Sequence, residues 1–388
     1  MKPIVIVLLT LLIAGGPALA RDDGAECAGT LVPSLRAEFG IPGMAVAVRR
    51  GDTLVFNRGF GLAHVETGEP VTPSTIFQLS SSAKMFTGVL TMRLVEQGVL
   101  GLHDSVRQYL PDAPSGWQPV TIRHLVAMIA RLPDLMTLER KPGDTRDDLE
   151  LLQALANRGA DDLLAALYEA DPDPKPNTGW RYGGGDFFVL QQIIEKVTGK
   201  PYEQVMRELV FRPAGMVSTG YWGTDQDVLP GSATDYYPNG RGGLEQRHFV
   251  FPQLLYSAGG AASSAEDLLR LDRVLRDNRL MRPETRKAMW TWQPLADGNV
   301  VSYGLGWDLK DHAPKQYSEG HSGGYLTTFR HYDTGDLTVV MLTNGFTVPY
   351  DRMAPDNIAT AIAAAWEPAI IGFDQPACSF KALEGARF

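Results

Sequence analysis

Cysteine is nearly missing: the 388 residues include only Cys27 and Cys378, too few for a disulfide-stapled scaffold or a cysteine-rich metal centre. The two stand near opposite ends of the chain. One bridge tying those ends together, or two unrelated thiols, are the alternatives, and the bridge is expected in an oxidising compartment. The seven histidines show no H-E-x-x-H or similar spacing, so metal-assisted hydrolysis lacks a ligand set and no cofactor is expected. Positive charge is short as well. A formal net charge of −9 argues against nucleic acid or anionic lipid as the main partner. No internal repeat is visible, and beyond the first twenty residues no apolar run is long enough to cross a membrane.

Those first residues have a pattern of their own. Lys2, the apolar run Ile4–Ala14 and Ala18-Leu19-Ala20 read as a secretory signal cleaved after Ala20 and followed by Arg21-Asp22-Asp23. A secreted or periplasmic protein, with no membrane insertion once the signal is gone, is the expectation. The full chain is 44% hydrophobic, and the remainder, 21–388, suits one large domain or two lobes sharing a cleft.

The stretch richest in chemistry is Leu79-Ser80-Ser81-Ser82-Ala83-Lys84, followed by the apolar run Met85–Val95. Phe86, Val89, Leu90, Met92, Leu94 and Val95 leave that helix little wet face, so it is expected to be buried, with Gly98 as its stop. Residues three apart share a helix face, which places the Lys84 amine beside the Ser81 hydroxyl. A serine becomes a nucleophile when a neighbour takes its proton. A lysine does so only when neutral, the form that burial favours.

Elsewhere the pattern gives Met44–Val48 and Thr53–Phe60 as strands joined at Gly51, and Thr121 as a helix start. Helices are expected over Leu149–Leu155, Asp161–Glu169 and Phe187–Thr198, the last ended by Gly199. Asp171–Pro176 reads as a stiff linker, and Ser263-x-x-Glu266 as a capping box opening a further helix. Trp222–Tyr256 lacks periodicity, and its aromatics, Tyr236 and Tyr237 among them, suggest a wall of a substrate cleft. Strands over Tyr303–Leu309, Tyr325–Tyr332 and Leu337–Thr343 and a helix over Pro355–Trp366 close the chain. Strands at both ends of a helical middle imply an α+β fold: an antiparallel sheet of N- and C-terminal strands flanked by helices, with an inserted mainly helical lobe. The sheet lobe takes roughly 27–75 and 260–388, and the helical lobe roughly 76–259.

Phe77, Ser81-x-x-Lys84 and the apolar helix after them resemble the nucleophile motif of the serine β-lactamase-like family, which includes class C β-lactamases, DD-peptidases, D-aminopeptidases and family VIII esterases. Two further motifs follow in order. Tyr182-Gly183-Gly184 stands where the family has Tyr-x-Asn, and Gly320-His321-Ser322-Gly323-Gly324 resembles its Lys/His-x-Gly motif on the edge of the cleft. The likeness runs from about Leu35 to Gly345 and includes Tyr303-Gly304-Leu305-Gly306-Trp307. It implies acyl transfer. Ser81 attacks a carbonyl, Lys84 or Tyr182 serves as base, and His321 orients the substrate or the Ser–Tyr hydrogen bonds. The N–H groups of Ser81 and Gly324, with Gly323 beside them, hold the oxyanion.

The chain departs from the family at two places. Gly184 replaces the asparagine, which makes a small ester or peptide a better expected substrate than a β-lactam. Met128-Ile129-Ala130-Arg131-Leu132-Pro133 replaces a His-Thr-Ser-Gly-Leu-Pro segment, and because arginine tolerates positive φ poorly, a changed local backbone is expected. These departures keep a second reading open, that of a catalytically weak relative with a binding or scaffold role. Gly320-x-Ser322-x-Gly324 also satisfies the G-x-S-x-G nucleophile elbow, which requires a strand before the serine and a helix after it.

Overall fold

A computed structural model describes residues 23–222, 229–246, 251–311, 317–345, 354–386 and 388. The signal-like segment and part of the 222–256 stretch lie outside these residues.

The chain enters through helix α1 (Asp23–Glu38) and then forms strands β1 (Gly43–Arg50), β2 (Thr53–His64) and the short β3 (Glu69–Pro70). Helix α2 (Lys84–Glu96) follows, and α3 (Gly185–Thr198) and α4 (Ala265–Arg276) are the long helices further along. Strands β4 (Asp308–Asp311), β5 (Tyr317–Gly323), β6 (Thr327–Tyr332) and β7 (Leu337–Thr343) complete the sheet before helix α5 (Pro355–Ala363). The order is β4-β5-β6-β7-β1-β2-β3, and every neighbouring pair is antiparallel. The α+β class read from the sequence holds.

The weak alternation of Met44-Ala45-Val46-Ala47-Val48 has a simple cause: β1 is buried on both faces. Successive side chains point to opposite sides of a strand. Met44, Val46 and Val48 therefore join a core with Leu31 and Leu35 of α1 and Ile358 and Ile362 of α5. Ala45 and Ala47 join the other core, with Phe86 and Leu90 of α2 and Leu268 and Leu271 of α4. The sheet separates two cores. A disulfide between Cys27 of α1 and Cys378 pins the chain's ends together behind the α1/α5 layer, so of the two alternatives the bridge is the one present.

Three sequence expectations need correction, and one strand is new. Tyr303–Leu309 is not a continuous strand. Gly306 has φ +83, and a Cβ on Gly88 of α2 would stand 2.1 Å from the Leu305 carbonyl oxygen, so this glycine-rich string is a turn packed onto α2, with the strand starting at Asp308. Strand β5, Tyr317–Gly323, was not among the strands read from the sequence; it carries Gly320–Gly323 of the His321 motif, and its two neighbours supply the backbone partners. The cap of α4 is Ser264, whose Oγ accepts the Asp267 N–H at 3.3 Å, while Ser263 ends a short strand, Ala261–Ser263. The closing helix stops at Ala363 rather than Trp366. Helix α1 itself was not foreseen. Gly98 (φ +69) and Gly199 (φ +63) adopt the left-handed conformation that ends helices, as expected.

Candidate active site

Ser81 stands in a single 3₁₀ turn, Ser80–Ala83, that runs directly into α2 at Lys84. With three residues per turn, positions i and i+3 eclipse, which draws the two side chains closer than an α-helix would. Lys84 Nζ lies 3.1 Å from Ser81 Oγ, and the lysine is 3% exposed. The residue before the nucleophile, Ser80, has φ +49, a left-handed conformation costing a non-glycine residue about 1–2 kcal/mol. Such strain persists only where surrounding structure holds it. Here Thr327 of β6 does so. Its Oγ1 donates to the Leu79 carbonyl at 2.8 Å and lies 3.0 Å from Ser82 Oγ, while the Leu79 N–H donates to the Ala261 carbonyl at 2.9 Å.

The far side of the lysine is built by α3. Lys84 Nζ donates to the Ala258 carbonyl at 2.8 Å. That carbonyl is placed by Ser257, whose N–H donates to Gln191 Oε1 (3.0 Å), whose Oγ donates to the Phe187 carbonyl (2.8 Å) and whose own carbonyl accepts from Thr87 Oγ1 (2.6 Å). Two rings complete the surround: Nζ sits 4.8 Å from the Tyr182 ring centre and 5.6 Å from that of Phe187. Ser81, Lys84 and Tyr182 are thus brought together, with Tyr182 44% exposed and open to the cleft.

His321 is on β5, paired with Phe329, and 4% exposed. Its Nδ1 lies 2.8 Å from the Ser322 carbonyl oxygen, which only accepts, so Nδ1 carries the proton and Nε2 accepts from the buried Tyr303 hydroxyl at 3.1 Å. Burial first, and the charge of Lys84 second, lower His321 from 6.5 to about 4, so the ring is neutral at pH 7. Both nitrogens are occupied by these partners, and the ring meets that of Tyr182 at a tilt of 43°, with centres 6.4 Å apart. Gly323, at the end of β5, leaves no room for a side chain: a Cβ there would stand 2.1 Å from the Leu79 carbonyl oxygen and 2.6 Å from Thr327 Oγ1. Ser81, Gly323 and Gly324 line one cavity of about 1220 Å³ together with Lys84 and Tyr182.

Ser322 is not placed as an elbow nucleophile. It lies within a strand, the next element is strand β6 rather than a helix, and its Oγ donates to Asp356 at the start of α5. Burial opposes ionisation of Asp356, yet Arg330 and Lys310 hold its carboxyl well below the usual range.

The two departures are also explained. Gly184 N–H donates to Asp134 Oδ2 at 2.6 Å, and the other oxygen of Asp134 caps the helix Leu135–Glu139 through Met136, so the backbone is fixed without the asparagine. The expected change of backbone at Arg131 does not occur. Arg131 has φ +63, the conformation suited to glycine, and its loop is held by Asp186 of α3, which accepts the Leu132 N–H at 3.0 Å. Asp186 is fully buried, and burial raises its carboxyl to about 8. Of the aromatics in the 222–256 stretch, Tyr237 and Phe251 line the cleft, whereas Tyr236 turns away to donate to Glu66 and accept the Val65 N–H.

Thr327, Ala258, Gln191, Tyr303 and Asp186 escaped sequence reading because each acts through a partner distant in the chain, 18 residues away for Tyr303 and more than fifty for the others. Tyr303 alone had a local signal, the string that ends in Trp307.

A strained turn carrying a serine, a buried lysine beside it and a strand edge opposite form a candidate site that suits a serine hydrolase. Residues 29–363 match the Beta-lactamase family, and the chain belongs to it. It is 28% identical over 334 residues to penicillin-binding protein 4* of Bacillus subtilis (strain 168), spanning 81% of this chain and 70% of that protein. It is 30% identical over 277 residues to esterase EstB of Burkholderia gladioli, spanning 65% and 70%. Among solved structures, the octameric penicillin-binding protein homologue from Pyrococcus abyssi superposes with a TM-score of 0.68 at 25% identity, covering 87% of this chain and 77% of that one.

Proposed function

We propose that this protein hydrolyses small, uncharged esters or amides through an acyl-enzyme on Ser81. The 3.1 Å contact between Ser81 Oγ and Lys84 Nζ carries the reading. Lys84, held by its bond to the Ala258 carbonyl, takes the proton of the serine hydroxyl as Oγ attacks. Tyr182, whose ring covers Nζ, returns a proton to the leaving group. The N–H groups of Ser81 and Gly324, which line the same cavity, stabilise the oxyanion, a device worth about 3–4 kcal/mol per donor in comparable sites. Neutral His321 acts as a fixed wall of the substrate site.

Charge favours an uncharged substrate. Lys84 apart, the cations described around the cleft are paired: Arg140 with Asp148 (3.1 Å), Arg146 with Asp144 (2.6 Å), Lys310 with Asp356, and Arg330 with Asp308 (2.6 Å). A β-lactam or a peptide ending in a carboxylate would bring a charge with no waiting partner among the described residues, at a desolvation cost. The esterase named among the relatives fits this preference. The disulfide suits an exported protein, and no described helix is long and apolar enough to cross a membrane.

The test is hydrolysis of p-nitrophenyl butyrate and of nitrocefin by wild type, Ser81→Ala and Ser322→Ala. Ester hydrolysis exceeding that of nitrocefin, abolished only by Ser81→Ala, is expected. Loss only in Ser322→Ala would restore the elbow. No activity, together with no labelling of Ser81 by a fluorophosphonate, would point to a binding protein.

A further inference from the structure

A second cavity, of about 610 Å³, opens on the other side of Tyr182 and His321 from the nucleophile. It shares Tyr182 and Ser322 with the first cavity but contains neither Ser81 nor Lys84. Its walls are a closed circuit of rings. Trp180 lies 5.8 Å from Tyr303 and 6.0 Å from Tyr182, while His321 lies 5.9 Å from Tyr303 and 6.4 Å from Tyr182, centre to centre. Val300 and Val301 close the outer side. Trp180 is 42% and Val300 53% exposed, so large apolar surface is left facing water at this cavity.

The cavity also contains charges, Asp308 and Lys310, but both are spoken for. Asp308 accepts from the buried Arg330 guanidinium, and Lys310 donates to Asp356. An ionic ligand would have to break one of these pairs; a neutral, flat one would not. Tilted rings around an open space suit an aromatic guest, which gains stacking contacts beyond its buried area.

We propose that this cavity is the leaving-group subsite of the hydrolase and takes the neutral aromatic alcohol half of an ester. The assignment rests on the reading of Ser81 as nucleophile and Tyr182 as proton donor, because the group that Tyr182 protonates must leave on the side where Tyr182 faces it. In the step, Ser81 Oγ bonds to the acyl carbon and the bond from that carbon to the alcohol oxygen breaks. The serine proton passes to Lys84, the alcohol oxygen takes a proton from Tyr182, and Tyr182 recovers one from Lys84. The products are acyl-Ser81 and the free alcohol. By microscopic reversibility, an aromatic alcohol held in the same cavity intercepts the acyl-enzyme in competition with water.

The experiment compares kcat/KM for benzyl butyrate and ethyl butyrate, whose alcohols are similarly acidic, in wild type, Trp180→Ala and Trp180→Phe. Wild type is expected to favour the benzyl ester by about tenfold, Trp180→Ala to lose most of that preference, and Trp180→Phe to keep most of it. Equal rates for the two esters in wild type, or a preference untouched by Trp180→Ala, overturns the proposal. A second measurement, saturation-transfer NMR of benzyl alcohol with Ser81→Ala and with Ser81→Ala/Trp180→Ala, separates the two readings. Binding to the first and not the second, with no ester turned over by wild type, keeps the aromatic site and removes the hydrolase. Turnover of both esters at one rate, without such binding, does the reverse.

Discussion

The Tyr303 hydroxyl donates at 3.1 Å to Nε2 of His321, the ring nitrogen left without a proton because Nδ1–H is held by the Ser322 carbonyl. The bond exists only while Nε2 is unprotonated. Tyr303→Phe removes it and makes protonation easier, so His321 should gain its proton at a pH up to about one unit higher, the equivalent of one hydrogen bond of about 1 kcal/mol. NMR titration of the His321 ring reads this directly, and the acid limb of kcat/KM should move the same way. A purely structural tyrosine would leave both where they are.

Gly323 is the place where the sheet meets the nucleophile turn. In Gly323→Ala the new methyl collides with the Leu79 carbonyl and with Thr327 Oγ1, the two groups that hold the turn. We expect a folded protein with near-native circular dichroism and kcat reduced on the order of a hundredfold, the scale of a 1 Å misplacement of a catalytic group. Wild-type kcat in this variant would mean that the turn is held by something else.

Asp186 gives a pH signature. Its carboxyl keeps a proton up to about pH 8 in the folded protein and releases it near 3.8 when unfolded. Between these values the folded state holds the extra proton, so raising the pH favours unfolding, by at most about 1.4 kcal/mol per pH unit. Asp186→Asn keeps an acceptor for the Leu132 N–H and removes the titration. The thermal midpoint of wild type should therefore fall relative to that of the variant as pH rises from 5 to 8. Parallel curves would show that Asp186 is ionised throughout.

The Cys27–Cys378 bridge closes a loop across a separation of 351 residues. Its removal in Cys27→Ser/Cys378→Ser should cost roughly 2–5 kcal/mol, seen as a lower denaturant midpoint with ester hydrolysis retained under native conditions. A midpoint equal to that of wild type would show that the bridge adds no stability.

The chemistry was legible in the sequence where it is local. A serine and a lysine three apart before an apolar run, a tyrosine after a Pro/Gly approach and a histidine among glycines can each be read in a short window. What the window hides is support. Nothing near Ser81 announces that Thr327 holds its turn, and nothing near Lys84 announces the Ala258 carbonyl. The extent of strand β5 was hidden for the same reason, because a glycine-rich stretch has no strand pattern of its own until β4 and β6 supply its ladders. Arg131 shows the converse. Residue type argued for a changed backbone, but the anchor through Asp186 outweighs a local preference of about 1–2 kcal/mol.

The two-sided burial of β1 has a consequence for how this protein can vary. Met44, Val46 and Val48 answer to α1 and α5, and Ala45 and Ala47 to the side that carries the nucleophile helix. A lineage can therefore remodel the rear layer at the expense of durability alone, while the small residues on the front cannot grow without displacing the catalytic helix. One strand marks the boundary between what is free to drift and what is bound to the reaction.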